Sequence, residues 1–488
     1  MPELQPSKGH PDLWPSPPLP ILKTRVLLPS QQGDEGGRLN EVSGQNALMD
    51  SGAIERPTSK RQPNYVFSDV LIPMSTALDL AEGREPGHAQ RVAHISMAIA
   101  NSREMEPGDK LACVYGALMH DIGVIVSGAG LSEYTRGDER LVFAPMPLLT
   151  PDEAATGTDS PEEVASRIVD HVIHGSRVVQ ELGLPAAAVQ GVTSHHERWD
   201  GSGYPHNLRG EDIPLVGRII GLADQIDALA SETTPLLARR NFATWLSRLS
   251  GRDADSELID SLRDLGRSDD FWLALYNEDL SNEISRVCRN LKEPRNVKMD
   301  GFVEAFADLM DSRLPYTAGV SRKVARHVER LGRAVGLDEA HLRLMRAAAF
   351  LHDVGQLGVA ERIMAKPGIL SVEELEVLRL HPVYSHDVIA GITGLEEVAE
   401  WVVAHHGRVD GRGYPDGKVG DEIPLEARIL AIVDSWVAIT SDRPHRARVS
   451  QDEARRRLQS AAGTQLDPRL VEVFLREVIT NEPVAKSA

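Results

Sequence analysis

The sequence has few of the features that mark secreted, membrane-embedded or nucleic-acid-binding proteins. Its two cysteines among 488 residues, Cys113 and Cys288, exclude a disulfide framework and a thiolate zinc site and favour a reducing cytoplasm. A formal net charge of −19 argues against a nucleic-acid polymer or an anionic membrane as the main partner. Long uncharged stretches such as residues 122–131 are shorter than the ~20 residues that span a bilayer, and no secretory leader is visible. We therefore expect a soluble, cytoplasmic protein without membrane insertion.

Two regions of different character follow one another along the chain. Residues 1–65 are rich in Pro, Gly, Ser and Gln and show no sustained helical or strand period, which is typical of a disordered tail. From residue 66 onward, apolar residues recur three and four positions apart, as in residues 92–100 and 163–182, and this spacing predicts amphipathic helices. Because strand signals are few and short, the predicted fold class is all-α.

The region after the tail contains an internal repeat. HHERWDGSGYP (residues 195–205) returns 210 positions later as HHGRVDGRGYP (residues 405–415), with eight of eleven residues identical. Upstream, LMHDIG (118–123) matches FLHDVG (350–355) at a spacing of 232, so the first copy has an insertion at about 124–160. A duplication of one long unit follows, with a tail at 1–65, a first domain at 66–292 and a second domain at 293–480.

Each copy carries a set of histidines and aspartates. The first set is His88, His120, Asp121, His171, His195, His196 and Asp224. The matching residues of the second copy are His352, Asp353, His381, His405, His406 and Asp434, and Val320 stands where the first copy has His88. Imidazoles and carboxylates suit divalent iron, manganese or zinc. Five histidines and two aspartates exceed the needs of one tetrahedral ion and favour a two-metal site, which can activate water and stabilise charge in phosphoryl transfer.

Neither the His-Asp dipeptide nor the His-His pair is specific when it occurs alone, since both arise by accident. The same residue types at the same downstream spacings in both copies make metal binding by the first copy the favoured interpretation. The turns after the paired histidines could be plain interhelical loops, but their position favours loops that shape a substrate pocket. Their candidate substrate-binding residues are Gly203, Tyr204 and Pro205 in the first copy and Gly413, Tyr414 and Pro415 in the second.

The combination of an upstream His-Asp pair, HHERWDGSGYP and a downstream aspartate resembles the HD-GYP family of bacterial phosphodiesterases, a branch of the HD metal-dependent phosphohydrolases. The resemblance implies two tandem all-helical bundles and a binuclear or trinuclear metal centre. It also implies hydrolysis of a cyclic dinucleotide, usually cyclic di-GMP and alternatively 3′,3′-cyclic GMP-AMP, to the linear dinucleotide or the mononucleotide. By this resemblance the seven residues of the first set are metal ligands, Asp121 bridges the metals, and Asp121 and His120 are the catalytic residues.

The two copies depart from the family pattern in different ways. In the first copy, Val124 replaces a lysine usually placed near the substrate phosphate, and Arg84 stands where some members have a glutamate for a third metal. We therefore expect two ions there. The second copy lacks the first histidine and has Gln356 at the lysine position, but it keeps Arg443 and Arg446, whose planar guanidinium groups suit phosphate contact. Its ligand set is expected to form a degenerate site with one ion or none.

Two functions of different classes follow from these departures. The favoured one is a metal-dependent cyclic-dinucleotide phosphodiesterase that works through the first domain. The alternative is a catalytically degenerate cyclic-dinucleotide receptor or protein-interaction module, and hydrolysis of another phosphoester also stays open. A second copy of the chain and a signalling protein are the macromolecular partners considered.

Overall fold

The part of the chain that can be described covers both copies of the repeat. The computed structural model describes residues 65–84, 86–127, 161–231, 233–277, 279–294, 297–314, 316–443 and 446–479, without the side chains of 161–165 and 167. The predicted disordered tail lies outside these ranges apart from Tyr65, and the predicted insertion lies outside them apart from residues 124–127.

The described part of the first copy consists of helices joined by short turns. They are α1 (Ser68–Ala81), α2 (His88–Ser102), α3 (Pro107–Leu118), α4 (Val124–Ser127), α5 (Pro161–Glu181), α6 (Ala186–Ser194), a 3₁₀ turn (Gly210–Asp212), α7 (Leu215–Ser231), α8 (Pro235–Leu249), α9 (Ser256–Leu265), α10 (Asp269–Leu275) and α11 (Leu280–Asn290).

The second copy is helical in the same way. Its elements are α12 (Met299–Ser312), α13 (Val320–Ala334), α14 (Glu339–Leu351), a 3₁₀ helix (Val354–Gly358), α15 (Glu361–Met364), α16 (Val372–Leu378), α17 (His381–Ala390), α18 (Glu396–Val403), a 3₁₀ turn (Gly420–Glu422), α19 (Leu425–Thr440), α20 (Gln451–Ala461), α21 (Pro468–Val473) and a π-helical turn (Phe474–Ile479).

The prediction of an all-α fold is confirmed. Within the described ranges the backbone forms isolated β-bridges, such as the one between Tyr65 and Val297, and no strand. None of the helices in these ranges combines the length and the apolar character needed to cross a bilayer.

The helices of the two copies correspond at the spacings found in the sequence. Helix α2 begins 232 positions before α13, and α7 begins 210 positions before α19. Both α2 and α13 follow a glycine with positive φ, Gly87 and Gly319, and in both an aspartate one helix earlier accepts backbone N–H bonds at the helix start. These helices therefore recur in the same order in the two copies, and the proposed domain boundary near residue 292 falls between α11 and α12.

The two copies pack against each other in a reciprocal way. Helix α1 of the first copy packs on the 354–358 helix and on α17 of the second copy, while α12 of the second copy packs on α4 of the first. One continuous cluster of buried apolar side chains runs from Phe67 to Ile479 and includes members of both copies. The described residues from Tyr65 onward accordingly form a single compact unit.

Candidate metal centre

The seven residues predicted in the first copy converge on one buried site from separate elements. His88 begins α2, His171 lies within α5 and Asp224 lies within α7, while the two dipeptides follow the ends of α3 and α6. All seven side chains are buried. They are His88, His120, Asp121, His171, His195, His196 and Asp224.

A close packing contact sets the position of the His-Asp turn. A Cβ atom built on Gly123, two residues after Asp121, would lie 1.8 Å from the carbonyl oxygen of His171. The equivalent atom on Gly355 would lie 2.1 Å from the carbonyl oxygen of His381. Only glycine allows this approach, so the turn and the helix that carries the next histidine meet in the same way in both copies.

The ligand atoms form two groups that share one carboxylate. Asp121, His171, His195 and His196 present atoms within 4.8 Å of one another, and so do His88, His120 and Asp121. Asp121 Oδ1 lies 3.5 Å from the Nε2 atoms of both His171 and His195, while its Oδ2 lies 3.0 Å from His120 Nε2. The two oxygens of Asp121 therefore face different groups.

The imidazole rings are held with Nε2 directed into the site. The Nδ1 atoms of His120 and His195 lie 2.7 Å from the carbonyl oxygens of Ala117 and Val192, and His171 Nδ1 bonds to the carbonyl of Ile168. A carbonyl only accepts, so Nδ1 carries a proton and Nε2 is the atom available to a metal ion. Backbone contacts of this kind fix the tautomer and orientation of metal-binding histidines.

Several inward-facing atoms lack a hydrogen-bond partner within the described protein. They are the Nε2 atoms of His88, His120, His171 and His195 and Oδ1 of Asp224. Leaving even one such atom buried and unsatisfied costs about 1–3 kcal/mol, so five in one site require another partner. Nitrogen and carboxylate oxygen atoms without thiolates fit first-row divalent cations, and the residues present therefore fit the metal ions that the family resemblance implies.

The electrostatics of the site favour the ligand forms of its side chains. Burial alone would raise the pKa of Asp121, but His120 holds that pKa well below its usual range. Burial alone would lower the pKa of His120, but Asp121 and Asp224 raise it. Burial and neighbouring imidazoles lower the pKa of His195 and of His196. The carboxylates are thus ionised and these two imidazoles neutral near pH 7, and a cation would displace the proton from His120.

His88 is supported by an ion pair that the sequence did not reveal. Its Nδ1 lies 2.8 Å from Asp227 Oδ2, and the same carboxylate accepts bonds of 2.7 and 3.0 Å from Arg91. Although burial acts in the opposite direction, Arg91 and His88 lower the pKa of Asp227 to about 2. Asp227 is therefore a permanent anion that orients His88, in the manner of a carboxylate behind a metal-binding histidine.

The second copy brings its predicted ligands together less completely. His381, His405 and His406 present ligand atoms within 4.8 Å of one another, and Asp353 Oδ1 lies 3.2 Å from His381 Nε2. His352 Nε2 lies 3.4 Å from Asp353 Oδ2 and 4.0 Å from Asp434 Oδ1. Asp353 is more open than its counterpart, with 30% of its side chain exposed against 9% for Asp121. In the described part of the second copy, no group equivalent to His88, His120 and Asp121 is found.

The loss of the first histidine extends to its supporting residues. Where the first copy has His88, Asp227 and Arg91, the matching residues are Val320, Val437 and Lys323. Val437 is buried and Lys323 is exposed, so neither can take the part of its counterpart. Because all three residues are replaced together in the second copy, comparison of the two copies could have identified Asp227 and Arg91 from the sequence.

The glycine-tyrosine-proline turns cover the paired histidines. Tyr204 stacks on His196 and Tyr414 stacks on His406, each with ring centroids 4.8 Å apart. A Cβ atom on Gly203 would lie 2.3 Å from the backbone nitrogen of Arg198, so this glycine lets the turn fold back onto the histidine segment. Pro205 and Pro415 follow the tyrosines through cis peptide bonds, and Gly413 makes the same close approach as Gly203.

The two predicted phosphate-binding arginines of the second copy differ in their surroundings. Arg446 Nη2 donates a 2.8 Å bond to the carbonyl oxygen of Ala438, near the end of α19. Arg443 is exposed, and its charge acts on the partly buried Asp434 and His406. Arg446 therefore anchors the segment, whereas the charge of Arg443 influences two residues of the second ligand set.

Comparison with known proteins places this architecture in a family. The sequence profile described as "HD domain" matches residues 141–246 and 304–470, which together are more than half of the chain. The first matched stretch begins after His120 and Asp121, although the structure brings both residues into the cluster.

Relatives that are named as phosphodiesterases match most of the chain or a part of it. The 3′3′-cGAMP-specific phosphodiesterase 3 of Vibrio cholerae is 29% identical over 440 residues, covering 84% of this chain and 94% of that protein. The cyclic di-GMP phosphodiesterase response regulator RpfG of Xanthomonas campestris is 35% identical over 209 residues, covering 42% of this chain and 50% of that protein.

A solved structure has the same arrangement of helices. The crystal structure of the cyclic GMP-AMP-specific phosphodiesterase V-cGAP3 of V. cholerae superposes with a TM-score of 0.63 at 26% sequence identity, over 86% of this chain and 99% of that one. The chain belongs to the HD domain family and, within it, to the HD-GYP branch.

Proposed function

We propose that the chain hydrolyses a 3′,3′-cyclic dinucleotide at the first copy of the repeat, using two divalent metal ions held by the seven residues named above. The observation that carries this proposal is the pair of ligand groups joined by Asp121, with five buried ligand atoms that lack a protein partner. Relatives named as cyclic-dinucleotide phosphodiesterases support the class of substrate. Because the relative that matches 84% of the chain is specific for 3′3′-cGAMP by name, that dinucleotide is the first to test beside cyclic di-GMP.

The residues of the chain contribute binding, orientation and charge to this reaction. Hydrolysis adds water across a phosphodiester bond, so that oxygen joins phosphorus and one proton goes to the departing 3′ oxygen. Bound ions, whether iron, manganese or zinc, would supply the Lewis acidity that this change requires. Asp121 links the two ligand groups, and the backbone carbonyls behind His120, His171 and His195 hold the rings in place. We propose Asp121 and His120 as catalytic residues, because they lie where the two groups meet.

The second copy is proposed to have a supporting part in the whole protein. Its three grouped histidines and Asp353 suit one ion, and the loss of His88, Asp227 and Arg91 at the matching positions removes the support for a second. Binding of a dinucleotide by Arg443, Tyr414 and this reduced site is part of the same proposal. A homodimer, a signalling-protein partner and a cytoplasmic location remain predictions.

Turnover by the intact chain tests the proposed function. Purified protein loaded with Mn²⁺ or Fe²⁺ is given 3′3′-cGAMP or cyclic di-GMP, and linear products are separated by chromatography. We expect Asp121→Asn to lower kcat by about 100-fold or more, since the carboxylate shared by both groups loses its charge. The matched change Asp353→Asn in the second copy should lower kcat less than about threefold, because Asp353 belongs to the other ligand set and not to the one proposed to hold the reacting bond.

Two results would contradict the proposal in different ways. Metal-loaded wild-type protein that binds the dinucleotides without cleaving either would favour the receptor alternative. Loss of turnover in Asp353→Asn with activity retained in Asp121→Asn would place the chemistry in the second copy.

A further inference from the structure

The first copy lacks two cations at the positions where its family resemblance leads one to expect them. Val124 occupies the lysine position and is buried, and the stretch after Asp224 has no arginine matching Arg443. Arg239, in that stretch, forms an ion pair with Asp269. A phosphodiester carries negative charge, so a site with this acidic background needs another cation beside its metal ions.

Arg84 supplies a guanidinium group next to the ligand cluster. Its Nη2 atom lies 3.8 Å from Oδ2 of Asp121, and its Nε lies 2.8 Å from Oε2 of Glu82. Only 17% of the Arg84 side chain and 8% of the Glu82 side chain are exposed. The guanidinium is therefore directed at the shared carboxylate from within the protein and is not a mobile surface charge.

The backbone around Arg84 is tied to the element that carries His88. The Arg84 N–H donates a 2.9 Å bond to the carbonyl oxygen of Asp79, and the carboxylate of Asp79 accepts bonds from the N–H groups of Gly87 and Ala89. The turn that carries Arg84 and the first turn of α2 are thus held by one aspartate. This arrangement gives Arg84 a fixed position relative to His88.

The second copy has no equivalent of this pair and uses a different arginine. Leu314 and Tyr316 stand at the positions that match Glu82 and Arg84, and the Tyr316 hydroxyl donates to the carbonyl oxygen of Met364. The charge of Arg443 acts on Tyr316 as well as on Asp434. The arginine whose charge acts on the ligand set therefore comes from a different part of the chain in each copy.

We propose that Arg84 is a substrate-contacting residue of the first site, donating hydrogen bonds to a non-bridging oxygen of the scissile phosphate. The inference rests on the proposed function. The guanidinium of Arg84 lies 3.8 Å from the carboxylate that both ligand groups share. A phosphate held at those groups is therefore within reach of its Nη donors, while Glu82 bonds its Nε atom. Arginine suits this contact because its planar donors match two phosphate oxygens and its charge is permanent.

Substitution of Arg84 in the full-length, Mn²⁺-loaded protein tests the contact. Arg84→Met should lower kcat/KM for the cyclic dinucleotide about 100-fold, and Arg84→Lys about tenfold, because lysine keeps the charge but not the paired donors. Manganese content should stay at the wild-type value in both variants. Arg103→Met is the matched control, since Arg103 forms an Arg–Glu pair with Glu257 in the same copy and its loss should leave kcat/KM unchanged.

A second measurement separates this inference from the proposed function. Calorimetric titration of the Mn²⁺-loaded protein with inorganic phosphate should show binding by the wild type that Arg84→Met weakens at least about tenfold. If the wild type cleaves no dinucleotide but the phosphate result holds, the proposed function fails and the contact stands. If Arg84→Met loses manganese, or keeps both turnover and phosphate binding, the inference is overturned. Because Arg84→Met leaves Glu82 buried without its cation, Glu82→Gln/Arg84→Met is the variant to use if the single change does not fold.

Discussion

At the scale of single residues, the two copies differ in their metal ligands and equally in the residues that hydrogen-bond to those ligands. Asp121 and Asp353 occupy equivalent turns, yet only the first copy has Asp227 and Arg91 to hold a histidine at the start of its second helix. A buried imidazole without such an orienting anion would lose its fixed direction. The replacement of all three members by Val320, Val437 and Lys323 indicates that they act as one unit.

If Asp227, Arg91 and His88 act as one unit, removing the Asp227 carboxylate should affect metal binding. Asp227→Asn should weaken binding of one of the two metal ions by about 10- to 100-fold, because the neutral amide neither compensates Arg91 nor fixes the tautomer of His88. Competition with a metal-sensitive chelator dye measures the affinity.

The control for Asp227→Asn is a buried ion pair away from the ligands. Arg218 bonds to Asp255 at 2.8 Å, and Asp255 is similarly buried. Asp255→Asn should lower stability but leave the metal affinity of the folded protein unchanged. Equal metal affinity in Asp227→Asn and wild type would show that His88 needs no carboxylate behind it.

At the scale of helices, the second copy has an electrostatic contact that the first lacks. His341 in α14 bonds to Glu426 in α19 at 2.7 Å and stacks on Trp401 in α18 with centroids 5.1 Å apart. The matching residues of the first copy are Asp109, Val216 and Gly191. Three helices of the second copy are thus joined by a contact that depends on protonation.

The pH dependence of this contact follows from the two shifts. The hydrogen bond to Glu426 raises the pKa of His341 above its ordinary 6.5, so its contribution to stability is complete below pH 6.5 and is lost as pH rises through the folded-state value. Burial alone would raise the pKa of Glu426, but the bond to His341 lowers it from the ordinary 4.5. The contribution of Glu426 to stability is therefore present above pH 4.5 and is lost as pH falls through the folded-state pKa. The pair therefore stabilises the fold most between about pH 4.5 and 6.5.

Urea unfolding at pH 5.5 and 8.5 tests the pair. The wild type should exceed His341→Phe in unfolding free energy by about 1 kcal/mol more at pH 5.5 than at pH 8.5, a value suited to a partly exposed ion pair. Taking the difference between the two proteins cancels the titration of the metal-site histidines. A difference that does not change with pH would show that His341 acts through its stacking on Trp401 alone.

At the scale of the whole molecule, the copies share one core. Helix α1 packs on the second copy, and Gly391 at the end of α17 approaches it so closely that an added Cβ would lie 3.0 Å from Pro73 Cγ. Domains that share a core of this kind are expected to unfold together.

A substitution at this contact tests the coupling. Gly391→Val should lower the unfolding free energy by about 1–3 kcal/mol through overpacking against α1, while Gly368→Val, with open space around the site, should change it by less than about 0.5 kcal/mol. Helical circular dichroism and release of metal from the first site should report the same midpoint. Separate midpoints would show that the copies unfold independently.

The metal ligands could be predicted from the sequence, whereas the residues that support them were harder to predict. The helical class, the duplication and the ligand types were accessible because periodic apolar residues and repeated motifs are local features of a sequence. Asp227 and Arg91 were accessible only through comparison of the two copies. Glu82 was not accessible, since its role depends on the contact between Arg84 and Asp121, which are distant along the chain.

What the sequence determined by itself is the chemistry available in each copy, including the absence of a first histidine at Val320. Only the tertiary structure decided that Asp121 joins two ligand groups, that Arg84 faces the shared carboxylate and that both copies contribute to one core. The physical reason is that apolar periodicity specifies which face of a helix is buried. Which distant faces meet, and hence which polar side chains are brought within a few ångströms, depends on the packing of all the helices together.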